Sequence, residues 1–224
     1  MRVNIIENIE RIRASLPQGV TLIAVSKYHP KKAVEIAYSA GQRDFGESKA
    51  QDLRIKFQEL PSDIRWHFIG HLQSNKIKYI APFIHLIHSV DSLKLLQEIN
   101  RQGEKVGRTI PCLLQIHIAK EETKFGFSPD ECRALLYGNE WHQLKNVELR
   151  GLMCMASNTD DRQQIANEFN SVKALFDEIK EKHFTSNDRF NIFSAGMSDD
   201  HKIAIEAGST HIRIGSDIFG TAHK

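Results

Sequence analysis

The sharpest chemical feature of the sequence is a lysine placed directly after an apolar run. Val20–Ser26 reads VTLIAVS and the next residue is Lys27. A lysine at the end of a buried strand is expected to have its stem partly out of water, and lost hydration disfavours the ammonium form. The neutral amine attacks an aldehyde to form an imine. The competing reading is a lysine that snorkels from the strand end into solvent.

Two later segments are rich in glycine and small hydroxyls, Ser194-Ala195-Gly196-Met197-Ser198 and Arg213-Ile214-Gly215-Ser216. Backbone N–H groups at a helix start carry partial positive charge and hold a phosphate without help from a lysine. Ser198 is read as opening a helix over Asp200–Ala207, and Gly215-Ser216 as opening a short turn through Phe219. Ordinary helix capping explains the same residues. Asp199, Asp200 and Asp217 would repel a phosphate unless turned away. Arg213 stands between Ile212 and Ile214, and a guanidinium in an apolar strand needs an acceptor because an unpaired buried charge is costly. Its acceptor is either a core carboxylate or a ligand atom.

These residues need a frame that gathers strand ends, and the sequence pattern supplies one. Eight strands are expected over Val20–Ser26, Arg43–Gly46, Trp66–Gly70, Leu86–Val90, Pro111–Ile118, Val147–Met153, Asn191–Ala195 and His211–Gly215. Helical periodicity is clearest over Lys31–Ala40, Leu93–Glu104, Pro129–Leu136, Ile165–Lys182 and Asp200–Ala207. An additional first helix over residues 3–15 aligns Ile5, Ile9 and Ile12. Runs such as VTLIAV and PCLLQIHI suit strands buried on both faces, as in parallel sheets covered by helices. Unbroken β–α alternation favours one α/β domain over residues 1–224, a closed (β/α)8 barrel of the TIM type with an extra N-terminal helix. No GxGxxG follows the first strand, which counts against an open dinucleotide-binding sheet. Functional residues of such barrels sit where strands end and βα loops begin, which is where Lys27, Ser198, Arg213 and Ser216 fall.

The bulk numbers exclude several classes. Lys+Arg 30 against Asp+Glu 28 leaves +2, spread evenly, so no basic stripe marks a nucleic-acid partner. Cys112, Cys132 and Cys154 lie far apart with no CxxC pair, which suits a reducing compartment and argues against a disulfide framework. The charged N-terminus lacks the apolar stretch of a signal peptide, and no window approaches the roughly 20 apolar residues that span a bilayer. A cytoplasmic protein without membrane contact is expected. His67 and His71 on a strand–loop segment do not converge as they would on a helix, and His85 and His88 alternate poorly, so no metal site is expected.

At these same residues the sequence resembles the pyridoxal phosphate homeostasis proteins, relatives of the N-terminal barrel of alanine racemase. The resemblance runs over nearly the whole chain: AVSKYHP at Lys27, GQRDFGE before Ser48, WHFIGHLQSNK from Trp66 and IHSVDS around Ser89. It continues through EETKFG from Glu121 and RGLMCM from Arg150 to GMSDD and IEAGSTHIRIGSDIFG. It implies that pyridoxal 5′-phosphate (PLP) is held as an internal aldimine on Lys27 and that Arg213 approaches the pyridine nitrogen. It also implies that the phosphate lies against Ser198 and the backbone of Gly215 and Ser216, with Met197 beside the ring. Three departures stand out. Ser48 replaces a usual asparagine, His71 replaces a commoner proline, and the chain ends in FGTAHK where many relatives carry FGxR.

The resemblance implies a carrier that buffers and delivers PLP, with apo PLP enzymes as recipients and no turnover of its own. The alternative is a PLP-dependent, racemase-like enzyme on amino acids. Racemisation needs a base on each face of the ring, and alanine racemases take the second from a tyrosine of an additional C-terminal domain. This chain ends a few residues after its eighth strand, and of its four tyrosines only Tyr28 is expected near the mouth, on the other side of the strand. A Schiff-base aldolase acting on a sugar phosphate also explains Lys27 and the phosphate loop, but not the family segments.

Overall fold

A computed structural model describes residues 3–118, 125–138 and 140–221. Eight parallel strands close in chain order into a barrel. They are β1 (Thr21–Val25), β2 (Asp44–Glu47), β3 (Arg65–Phe68), β4 (Leu86–Val90), β5 (Ile110–Ile116), β6 (Val147–Cys154), β7 (Ile192–Ser194) and β8 (His211–Ile214). Closure runs from Thr21 opposite His211 to Ala24 opposite Ile214. The helices are α1 (Ile5–Ser15), α2 (Lys31–Ser39), α3 (Ala50–Glu59), α4 (Leu93–Lys105), α5 (Pro129–Tyr137), α6 (Arg162–His183), α7 (His201–Glu206) and α8 (Ser216–Phe219). The expected barrel with its extra N-terminal helix is the fold observed.

Two layers of burial hold it. Outside the strands, Phe45, Trp66, Phe68, Leu53, Ile77 and Ile84 fill the space beneath the helices, all nearly inaccessible. Each such side chain stabilises the fold by roughly 1.5–3 kcal/mol. Phe184 stacks on Phe190 at 4.2 Å and Phe176 on Phe190 at 5.2 Å, pinning the long α6 against the start of β7. Inside the barrel, Leu86, Leu113, Met153 and Ile192 form a separate apolar plug on β4 to β7, in the manner of barrels whose lumen is packed with side chains. Gly151 has φ +148, and a Cβ there would lie 1.8 Å from the Ile192 carbonyl oxygen. Only glycine lets β6 lie this close to β7.

The helix α3 is not among the clear periodic stretches of the sequence. Its inward face carries Ala50, Leu53 and Lys56, and a lysine breaks the apolar period at the position where the helix turns back to the barrel. Between β3 and β4 the connection is a 3₁₀ segment, Ser74–Tyr79, rather than a full helix. α1 buries Ile9 and Ile12, and Asn8 Nδ2 donates to the Ile218 carbonyl at 3.2 Å, joining the first helix to the last.

Candidate functional site

The backbone leading to Lys27 is fixed by a buried ion pair. Lys56 Nζ donates to Glu47 Oε1 at 2.6 Å and to the Ser26 carbonyl at 2.9 Å, while Ser26 Oγ donates to the same Glu47 oxygen at 2.6 Å. Burial pushes the Glu47 carboxyl up, and Lys56 and Ser26 pull against it. The Ser26 amide donates to the Gly46 carbonyl at 3.0 Å, and the His29 amide to the Ser26 carbonyl at 3.1 Å. From this clamp Lys27 emerges exposed. The expectation of a stem partly withdrawn from water is therefore corrected: β1 ends at Val25, and Lys27 lies on a turn beyond the packed layer. Tyr28 follows in the left-handed region at φ 68 and is exposed, with the Lys49 ammonium 5.2 Å from its ring centroid.

The ends of β7 and β8 meet beside it. Gly196 has φ +97, and a Cβ there would come within 2.7 Å of Ala204 Cβ, so the chain turns tightly into Met197 and Ser198. The Arg213 amide donates to the Gly196 carbonyl at 2.9 Å, tying the two strand ends together. Ser216 Oγ donates to Ser198 Oγ at 2.9 Å, so the two hydroxyls expected around a phosphate are neighbours. Gly215 is the cap residue of the one-turn α8, and Met197 is exposed. Ser198 does not open α7 as expected. That helix starts at His201 behind Asp200, whose Oδ1 accepts from the Met197 amide at 2.6 Å. The Asp200 carboxylate is thereby engaged by backbone.

Arg213 is 4% exposed. Nη1 donates to Ser194 Oγ at 2.6 Å and Nη2 to the Cys154 carbonyl at 3.0 Å. Among the described residues no carboxylate forms an ion pair with it, although the Asp200 carboxylate favours its charge from farther off. A guanidinium has five N–H donors, and those two are the ones engaged by protein acceptors among the described residues. A buried cation with spare donors is suited to an acceptor on a ligand.

Sequence reasoning missed what lies beneath Arg213. His88 Nδ1 is 2.9 Å from Ser194 Oγ, His88 Nε2 is 2.9 Å from His67 Nδ1, and His67 Nε2 is 3.0 Å from Asp44 Oδ1. Arg65 then clasps Asp44 through Nε at 2.8 Å and Nη2 at 2.5 Å. Burial pushes the Asp44 carboxyl up, but the hydrogen bonds from His67 and Arg65 outweigh it and hold it well below its ordinary range. Burial and the neighbouring His67 push His88 well down and His211 to about 3. WHF alternates apolar and polar along β3, whereas LIHSV on β4 does not alternate and is buried throughout, so of the two histidines His67 alone left a signal in the sequence. Asp44, His67 and His85 place ligand atoms within 4.8 Å of one another, although no metal site was expected. The Asp44 oxygens there are already engaged by Arg65 and His67.

Of the remaining positions, Ser48 is half-buried, and its carbonyl oxygen would lie 2.5 Å from a Cβ on Gly70. His71 Nδ1 sits 3.3 Å from Asp91 Oδ2, and its ring lies 4.3 Å from that of Phe125. His71 therefore links the loops after β3, β4 and β5. Glu121–Lys124 and the final Ala222–Lys224 lie outside the described residues.

A family model described as the alanine racemase N-terminal domain matches residues 2–223. A protein of Helicobacter pylori named "Pyridoxal phosphate homeostasis protein" is 38% identical over 219 residues, covering 96% of this chain and 95% of that relative. The solved structure of PipY from Synechococcus elongatus PCC7942 without PLP has a TM-score of 0.90 at 36% identity, covering 97% of this chain and 100% of that one. The same protein with PLP bound gives 0.88 at 35%, with the same coverage. Alanine racemase of Clostridium difficile 630 shares the fold at a TM-score of 0.77 and 14% identity, over 99% of this chain and 57% of that one.

Proposed function

Because the chain belongs to the pyridoxal phosphate homeostasis protein family, built on the alanine racemase N-terminal domain, we propose that it binds PLP to buffer and deliver the cofactor. The observation that carries this reading is Arg213, a buried guanidinium with no carboxylate partner among the described residues and with spare donors. A relative of the same fold has been solved with PLP bound. When bound, the cofactor supplies an aldehyde that condenses reversibly with an amine. Its other polar groups, a pyridine nitrogen and a phosphate, match the donors present.

The residues divide this work. Lys27 provides the amine, held in place by the Ser26–Glu47–Lys56 clamp. Arg213 donates to the ring nitrogen, and Met197 lies beside the ring. Ser198 and Ser216, already in hydroxyl contact, hold the phosphate together with the backbone of Gly215 and Ser216. A guanidinium keeps its own proton at neutral pH, so it leaves a ring nitrogen unprotonated and a weak electron sink. That suits carriage better than turnover. Racemisation would need a second base. Tyr28 is the tyrosine on the loop after β1, and it is exposed in a left-handed turn.

Apo PLP enzymes are the recipients in this reading, and the cytoplasm is the compartment. Free, buried Cys112, Cys132 and Cys154 accord with reducing surroundings. No helix among the described residues is long and apolar enough to cross a membrane. The test is to incubate the PLP-loaded protein with an apo PLP enzyme and follow its recovered activity, while measuring deuterium exchange at the α-carbon of amino acids. Transfer without exchange is expected. Rapid α-proton exchange on any common amino acid would make the protein an enzyme instead.

A further inference from the structure

We infer that Asp44, His67, His88 and Ser194 form a positioning relay through the barrel lumen that holds Arg213 toward the ring nitrogen of bound PLP and couples that nitrogen to a carboxylate at the opposite end. The inference rests on the placement of the ring nitrogen at Arg213. Among the described residues the chain of hydrogen bonds has no branch between its ends. β4 and β7 are not neighbours in the closed barrel, so the 2.9 Å contact between His88 and Ser194 crosses the lumen. Asp44 and Arg65 open β2 and β3, whereas Ser194 closes β7 and Arg213 lies late in β8. The relay therefore climbs the barrel from its N-terminal end to its mouth.

Donor and acceptor chemistry fixes its direction. An arginine only donates and an ionised carboxylate only accepts. Arg213 Nη1 donates to Ser194 Oγ, so the serine proton is free to go to His88 Nδ1. His88 then carries its proton on Nε2 and donates to His67 Nδ1. His67 in turn carries its proton on Nε2 and donates to Asp44 Oδ1. Every link is satisfied with both histidines neutral and in the same tautomer. Reversing the His88–His67 link would put a second proton on His67, reversing the Ser194–His88 link alone would put one on His88, and either would leave the Ser194 proton without an acceptor among the described residues. Partly satisfied buried networks are costly, so the orientation is expected to be held firmly. His85, His211, Arg65 and Arg150 surround the lower end, and Arg65 completes the pairing of Asp44. Asp44 thus anchors the far end of the relay, while the Asp200 carboxylate is the acidic group that favours the charge on Arg213 itself.

Two measurements test this. In the unmodified protein, long-range ¹H–¹⁵N correlation spectra of the histidines should show His67 and His88 neutral and protonated on Nε2 at neutral pH. A proton on His88 Nδ1, or a doubly protonated His67, would overturn the relay without any variant having to fold. In protein loaded with PLP labelled with ¹⁵N in its ring, His88→Leu and Asp44→Asn should move the ring-nitrogen resonance and the visible band. They should also weaken binding by roughly tenfold, the size of a lost buried hydrogen bond. Ser194→Thr, which keeps the hydroxyl, should stay close to the unmodified protein. An unmoved resonance in folded, loaded His88→Leu overturns the relay. Arg213→Lys separates the two ideas. If it moves the resonance while His88→Leu does not, only the relay fails, whereas no response to Arg213→Lys means the ring nitrogen lies elsewhere.

Discussion

Lys27 stands on a turn beyond β1 with its side chain exposed, so truncating it removes no packing. Lys27→Ala is expected to abolish borohydride-stable labelling by PLP while leaving the unfolding free energy within about 0.5 kcal/mol of the original, as for surface substitutions generally. Peptide mapping of the reduced protein should find the label on Lys27, and a label on Lys31 or Lys49 would refute the assignment. Arg213 differs because it is buried and donates to Ser194 and Cys154. Arg213→Ala should weaken PLP binding by about 1.5–3 kcal/mol, the worth of a hydrogen bond from a charged group. That is roughly ten- to hundredfold in Kd, read by fluorescence titration alongside a shifted visible band. An unchanged Kd and band would show that Arg213 serves the core alone.

Between elements, the decisive joint is the one linking β1, β2 and α3 behind Lys27. Lys56 is 7% and Glu47 1% exposed, so removing either partner leaves a charge stranded in the core. Lys56→Met is expected to cost about 3–5 kcal/mol in urea unfolding and to loosen the Ser26 carbonyl that anchors the Lys27 turn. A loss below about 1 kcal/mol would mean that the pair is not sealed from water. The turn after β7 depends on a different constraint. A Cβ on Gly196 would meet both Ala204 Cβ at 2.7 Å and His201 Cα at 2.9 Å, and φ is +97. Gly196→Ala should displace Met197 and Ser198 and lower PLP affinity, measured by the same titration.

For the whole molecule, the polar lumen sets how stability responds to acid. His88 and His211 have folded values below the ordinary 6.5, chiefly through burial. Below that value the unfolded chain takes up protons that the folded chain refuses, so stability falls as pH drops from about 6.5 toward 4. Asp44, held below its ordinary 3.8, adds a second loss under that pH, when its carboxylate is forced to protonate. Urea midpoints measured across pH 7.5 to 4.5 should decline through the window of the histidines. A flat profile would show that the lumen is wet enough to solvate the imidazolium forms.

Local order was legible in the sequence because strands buried on both faces read as continuous apolar runs. VTLIAV, PCLLQIHI and the HIRIG segment mark three staves of the barrel, and glycine with small hydroxyls marks the turns after β7 and β8. Lys27, Ser198, Arg213 and Ser216 stood out for the same reason, since a polar residue at the end of an apolar run has to be at a strand end. Sequence resemblance carried the cofactor and the role of each of those residues. Three things waited for tertiary structure. The burial of Lys56 hid α3, because its partner Glu47 lies on another element and no periodicity announces it. Lys27 proved exposed, since the last buried residue of β1 depends on how the neighbouring loops pack. The relay from Asp44 to Arg213 joins residues on β2, β3, β4, β7 and β8, with His88 and Ser194 separated by 106 positions. Such contacts exist only once the sheet has closed on itself, because closure brings non-adjacent strands face to face across a lumen one side chain deep.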